Sequence, residues 1–208
     1  MERKNNYALQ AQDARRLFLS YDQQQLIQKF SFDHDENYLY PRMLGTLYRI
    51  HRTSGDLQMQ KDGHWCDANS FERTLTLLDL LCDSAPDRHV AGRMQAMQNF
   101  GQLFHSKLLE QSADPLAERF DREPDTMRAL CEALGAIAVS GADLSYDFPF
   151  FEDLRIGLRF WHSDEDFPAQ IRWFWDVNAN AYLRYETMYY AINLLRQELN
   201  GDDQIGSL

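Results

Sequence analysis

From Asp153 to Trp161 apolar and polar residues alternate one by one. Leu154, Ile156, Leu158 and Phe160 fall on one side of an extended chain, and Arg155, Gly157, Arg159 and Trp161 on the other. A period of two over this length predicts a strand with one buried face. Ile171, Trp173 and Trp175 against Arg172, Phe174 and Asp176 repeat the pattern. The segment His162 to Pro168 between them is too long for a two-residue turn, so a looser hairpin loop is expected, its charges solvated and Pro168 at the mouth of the second strand. Aromatic residues on both faces of the second arm require cover on both sides or an interface. Ala181, Tyr185, Met188, Ile192, Leu195 and Leu199 then recur at three- and four-residue steps, which predicts a closing helix over the hairpin. Asp176 or Asn178 is placed to cap it and Gly201 to stop it. Each large side chain buried in such a unit contributes roughly 1.5–3 kcal/mol, so this hairpin and helix are expected to be the hub of the molecule.

Upstream, helical spacing of three and four residues alternates with short extended segments. Tyr7 to Ser20 predicts a helix with Ala11, Ala14, Leu17 and Phe18 on one face, and Asp22 caps a second carrying Leu26, Ile27 and Phe30. Phe32 to Asn37 is turn-rich. Leu47–Arg52 and Leu57–Gln60 flank Ser54-Gly55-Asp56 as a hairpin, its weakly apolar second strand suited to an exposed edge. Asn69 with Glu72 resembles a capping box opening a helix through Leu75, Leu78, Leu81 and Cys82, with Leu77 and Leu80 asking for cover on further sides. From His89 to Lys107 no clean period is present, and a partly irregular segment is expected. Asp114-Pro115 opens a short helix through Phe120, and a second runs from Pro124 to a stop at Gly135. Ala136 to Ser140 reads as a strand continuing towards Phe148. The whole is an α+β fold: mainly antiparallel sheet with helices packed against it, ending in the hairpin and closing helix. No linker divides the chain, so residues 1–208 read as a single domain, with 1–37 able to pack as a helical appendage.

Charge narrows the partners. A net charge of −11 argues against a nucleic-acid backbone and against an anionic membrane surface, and favours solubility or a basic partner. The first residues carry no apolar leader, and no apolar run is long enough to cross a bilayer. Three widely spaced cysteines without a C-x-x-C pair point to reduced thiols and a cytoplasmic location.

Candidate chemistry is sparse. Asp164-Glu165-Asp166 and His64-Trp65-Cys66-Asp67 do not have metal-ligand spacing, and no nucleotide, nucleophile or kinase motif occurs, so neither metal nor cofactor is expected. Arg155 and Arg159 share a strand face; should they converge with Tyr185 or Glu186, they would form a small anion-binding pocket. Asp143 and Asp147 flank the same region. His162 beside Asp164 or Asp166 is the best acid–base pair the sequence offers, with Asp143–Asp147 the next.

Asp143 to Phe148, Trp161 to Pro168 (W-H-S-D-E-D-F-P), Asp176 to Ala179 (D-V-N-A) and the leucine-rich helix Leu75–Leu81 together resemble an uncharacterised prokaryotic family, domain of unknown function number thirty-seven eighty-six, seen mostly in anaerobes. The likeness spans roughly residues 7 to 199, and residues 84–110 depart most from the family pattern. The resemblance brings no activity with it. Some relatives are joined to iron–sulfur modules, and this chain lacks the cysteine cluster such a module needs. The expectation is a non-catalytic accessory module of anaerobic metabolism that binds a protein or small-molecule partner in a groove formed by the hairpin and last helix. The alternatives are a small enzyme using the acid–base residues near the hairpin, or a homodimer built by it.

Overall fold

The computed structural model describes residues 2–101 and 114–201, with side chains from residue 6 onward. Two compact units emerge: Met1–Arg88 with Ala181–Leu194, and His89–Asn180 with Leu195–Leu208. The architecture is α+β, with antiparallel sheets and a C-terminal helix.

The first unit begins with α1 (Glu2–Ser20) and α2 (Gln23–Phe30). Asp22 caps α2 as expected, its carboxylate accepting from the backbone N–H groups of Gln24 and Gln25. Ala11, Ala14 and Phe18 of α1 are buried, whereas Leu17, expected among them, is 38% exposed. Six short strands follow: β1 (Asp33–His34), β2 (Tyr38–Tyr40), β3 (Arg42–Met43), β4 (Thr46–His51), β5 (Leu57–Lys61) and β6 (His64–Asp67). They pair in the order β1-β2-β4-β5-β6, with β3 on β4. The turn-rich segment therefore holds a strand of its own, because Asp35 accepts from the N–H groups of Asn37 and Tyr38 and turns the chain into a small hairpin.

The hairpin around Ser54-Gly55-Asp56 forms as read, but β5 is no edge. It pairs with β6 through Met59 and Cys66, and β6 takes the edge instead. Leu39, Tyr48, Ile50 and Leu57 turn their side chains to the buried face. α3 (Phe71–Asp83) is capped by the Ser70 hydroxyl, which accepts from the Arg73 N–H. Asn69, the expected cap, is engaged elsewhere: its carbonyl oxygen accepts from Leu57 N–H and from Arg15. Eight α3 residues are buried, Leu77, Leu78, Leu80 and Leu81 among them, in keeping with its all-round apolar pattern. Tyr7 of α1 packs on Phe71 of α3 with ring centroids 4.6 Å apart.

The returning segment of this unit carries residues 185–194 of α6 (Tyr185–Asn200). Ala85 donates its N–H to the Ala181 carbonyl, Arg184 pairs with Asp83 at 2.8 Å, and the Thr187 hydroxyl donates to Asp79 at 2.8 Å. Burial raises the Asp79 carboxyl above its ordinary range; the Thr187 bond and Arg184 work against this and Asp83 works with it.

In the second unit β7 (Met94–Ala96), β8 (Ile137–Ala138), β9 (Leu144–Phe151), β10 (Leu154–Trp161) and β11 (Gln170–Asp176) form an antiparallel sheet ordered β7-β11-β10-β9-β8. The two arms of the hairpin pair from Ile156 against Trp175 to Trp161 against Gln170. β7 lies in the segment expected to be irregular. Its three residues show no period, and it is held by the buried Asp176 carboxylate, which accepts from Ala91, Arg93 and Asn178 N–H groups at 2.9, 3.2 and 2.9 Å. Asp176 therefore fixes a loop and does not cap the last helix, which starts nine residues later at Tyr185. The remainder of the irregular segment, beyond residue 101, lies outside the described residues.

α4 (Pro115–Arg122) and α5 (Pro124–Ala133) appear at their expected prolines. Asp114 caps α4 through the Leu116 N–H and takes a two-pronged contact from Arg196, both N···O distances 2.7 Å. Burial would push this carboxyl up, but Arg196 and the backbone N–H groups outweigh it and hold it below the usual range. Gly135, at φ +73°, supplies the left-handed residue that ends α5, and Gly201, at φ +74°, does so after α6.

Gly157 sits in the middle of β10 because a side chain has nowhere to go. A Cβ there would lie 2.9 Å from Met94 Cε, 3.0 Å from Phe174 Cβ and 3.2 Å from Asp147 Oδ1. Gly157→Ala should cost about 1–3 kcal/mol, read as a lower urea midpoint with an unchanged slope. Asp79 generates a pH prediction. Because its folded value is raised, the stability it contributes is fully present below the ordinary carboxylate value, about 3.9, and is lost as pH rises through the raised one. Asp79→Asn keeps an acceptor for Thr187, so thermal melts should show it more stable than the parent at pH 7, the advantage vanishing below about pH 4.

Candidate functional site

The expected site residues fall into distinct settings. On the second sheet, register places Ser145 and Asp147 of β9, Gly157 and Arg159 of β10, and Arg172 and Phe174 of β11 on one face. Arg159 is 8% exposed, and its guanidinium meets Asp147 Oδ1 at 2.9 Å while donating to the Tyr146 and Leu158 carbonyls at 3.0 and 2.9 Å. It also lies over the Phe174 ring at 5.4 Å. Arg155, half-buried two residues from Gly157, donates at 3.5 Å to the Asp147 carbonyl. The two arginines and Asp147 thus do come together, as an internal layer. Buried and with its charge answered by Asp147, Arg159 is not presented to an outside anion of the kind expected.

His162 and Asp143 come together differently. The His162 N–H donates to Asp143 at 2.9 Å, and its ring Nδ1 lies 2.8 Å from Asp121 Oδ1 at the end of α4. The Ser163 hydroxyl donates to the other Asp121 oxygen at 2.6 Å. These bonds, Ser163 first and His162 second, hold the Asp121 carboxyl below its usual range. A serine that gives its proton to the carboxylate is not aligned for activation by the imidazole, so the trio works as a clamp between the hairpin loop and α4. Asp164 is also committed, its carboxylate accepting from Asp166 and Phe167 N–H groups inside the loop. Tyr185 and Glu186 open α6 and belong to the first unit. Burial pushes the Cys82 and Cys131 thiols up to about 12, which leaves them protonated and unreactive.

The first sheet presents an open polar face. Tyr38 pairs with His51, Arg49 with Gln58, and Gln58 in turn with Asp67, so these side chains share one side, as do Gln60 and Trp65. The Arg49 guanidinium is held between two rings, 4.4 Å from Tyr38 and 4.5 Å from Trp65, and its Nε donates to Gln58 at 2.6 Å. Beside it lies a cavity of about 380 Å³ lined by Tyr38, His51 and Gln58 together with Ser54, Asp56, Asp67 and Asn69. Hydrogen bonds brace the lining: Asn69 donates to Asp67 at 2.6 Å, Ser54 to Asp56 at 2.7 Å, and Thr53, just outside it, bonds His51 at 3.2 Å. Among the described residues no three His, Cys, Asp or Glu side chains gather as metal ligands, and no helix is long and apolar enough to cross a membrane.

The model of a family described as Domain of unknown function (DUF3786) matches residues 22–198. The chain belongs to this family. No curated protein and no solved structure matches it. The DUF3786 span takes in every strand, both arginines of β10 and the whole lining of the cavity, and leaves α1 outside. Within this DUF3786 chain the open face was missed at the sequence level because β2 and β6 are three and four residues long. The signal that could have found it was the large hydrogen-bonding side chains at alternate positions: Tyr38 and Tyr40, Arg49 and His51, Gln58 and Gln60, Trp65 and Asp67. Asp121, 41 residues from His162, had no such signal.

If the Arg159–Asp147 pair is an internal ion pair, Asp147→Ala should cost about 3 kcal/mol, since it strands a buried charge. The double change Arg159→Met with Asp147→Leu should cost less than that single change. Urea denaturation of the three proteins checks both statements.

Proposed function

We propose that the protein is a non-catalytic binding module whose ligand seat is the open face of the first sheet. The observation that carries this reading is the cavity of about 380 Å³, a size suited to a small molecule, whose polar lining is held in place by hydrogen bonds among its own residues. Groups fixed before binding lose little freedom on contact, which favours recognition. The hairpin lends less support to a binding role, since Arg159 and Asp147 answer each other there. It lends less to an acid–base enzyme as well, because His162 and Ser163 both bond one Asp121 carboxylate.

Backbone amide NMR of the full chain against a library of small metabolites tests the proposal. Amides at 38, 51, 54–58 and 67–69 should move first and saturate together. Shifts confined to the second sheet, or none at millimolar ligand, would remove it.

A further inference from the structure

Charge at the cavity is balanced before any ligand arrives. Asp56 stands 3.6 Å from Arg15 and accepts from Ser54 at 2.7 Å, and Asp67 accepts from the Asn69 side chain at 2.6 Å. Arg49 lies alongside, stacked between Tyr38 and Trp65. Two carboxylates are thus matched by two guanidinium groups, and neither an anion nor a cation finds an unanswered opposite charge. What the lining leaves open is neutral. Arg49 Nε can only donate, so the Gln58 oxygen faces it and the Gln58 NH2 group is turned away. That NH2 group, the Tyr38 hydroxyl and His51 Nε2 have no hydrogen-bond partner among the described residues, whereas His51 Nδ1 meets Thr53. No aliphatic side chain is among the described lining residues. Its apolar surface is that of the Tyr38 and His51 rings, which meet edge to face at 5.2 Å.

We infer that the seat takes a neutral polyhydroxylated ligand, a small sugar or cyclic polyol. This rests on the binding-module reading above and names its ligand class. A ligand that displaces water from the cavity must return the hydrogen bonds that water gave to Tyr38, His51 and Gln58, or leave those groups stranded. An aliphatic ligand returns none of them. An ion gives up its hydration and gains no counter-charge that is not already taken. A hydroxyl both accepts and donates, so neighbouring hydroxyls on one ring answer the Gln58 NH2 group, the Tyr38 hydroxyl and His51 Nε2 together. The C–H surface of such a ring lies against the two aromatic rings. Strand pairing fixes the spacing of these contacts, since Tyr38 stands opposite His51 on β2 and β4 and Arg49 opposite Gln58 on β4 and β5.

The test titrates the full chain with glucose, galactose, mannose and myo-inositol, and with agmatine and citrate as charged probes, followed by amide NMR and calorimetry. At least one of the neutral probes should shift the amides at 38, 51, 54–58 and 67–69, with an affinity that salt does not change. Tyr38→Phe keeps the ring that stacks on Arg49 and removes only the hydroxyl, so it should weaken that binding about fivefold. Gln58→Met, the second variant, should weaken it at least as much. Arg172→Ala, on the second sheet, should leave it unchanged. If agmatine or citrate moves those amides and no neutral probe does, the ligand class is wrong while the binding module stands. The ligand class is equally wrong if a sugar binds there with an affinity that falls as salt is raised, or with unaltered affinity in both Tyr38→Phe and Gln58→Met. If none of the probes, and no member of the wider library, moves those amides, the seat itself falls and the inference falls with it.

Discussion

A strand paired along both edges and covered on both faces must provide for every side chain it carries, and β10 carries a guanidinium. Taking the Arg159 charge out of water costs several kcal/mol unless an opposite charge and further acceptors receive it. Asp147 supplies the charge and two backbone carbonyls supply the rest. Asp147 in turn needs room beside the neighbouring strand, and Gly157, directly across from it, leaves that room. The register is thus fixed several times over. A slip of one residue would carry Arg159 into the layer of Leu158, Tyr146 and Trp173 and put those side chains where the ion pair now sits.

The first sheet uses similar residue types in the opposite sense. Arginine, aromatic rings and aspartates again share one face, but there the arginine stacks on rings and leaves the carboxylates turned to an open cavity. What distinguishes the two faces is where the acceptors are used. On β10 the charge is answered inside the layer, which closes on itself. On β4 to β6 Arg49 is satisfied largely by π faces and by Gln58, while Asp56 is met by Arg15 and Ser54 and Asp67 by Asn69 at the rim of the cavity.

Much of the fold was legible because its signals are local. The alternation in β10 and β11, the Asp22 and Asp114 caps, the prolines at 115 and 124 and the glycines at 135 and 201 each act within a few residues, and each appears in the structure where the sequence put it. The errors share a cause as well. Asn69 looked like a cap, but two distant donors, Arg15 and Leu57, compete for its oxygen. Asp176 looked like the start of the last helix, but 83 and 85 residues upstream lie the amides it serves. β7 carries no pattern of its own and exists because β11 offers it an edge. For the site, the arginines of β10 were visible as a pair, while their engagement by Asp147 and by carbonyls was not, since strand register is a property of two segments at once.

The first compact unit is discontinuous in sequence: its residues up to Arg88 are completed by Ala181–Leu194. On the ribosome this order matters. Asp79 and Asp83 emerge long before Thr187 and Arg184, which lie 108 and 101 residues further along. The half made first must wait, with two carboxylates unanswered and α3 short of its last neighbours, while all of the intervening sheet is translated. At roughly 5–20 residues per second that interval lasts several seconds, ample time for the nascent half to recruit a chaperone or to aggregate.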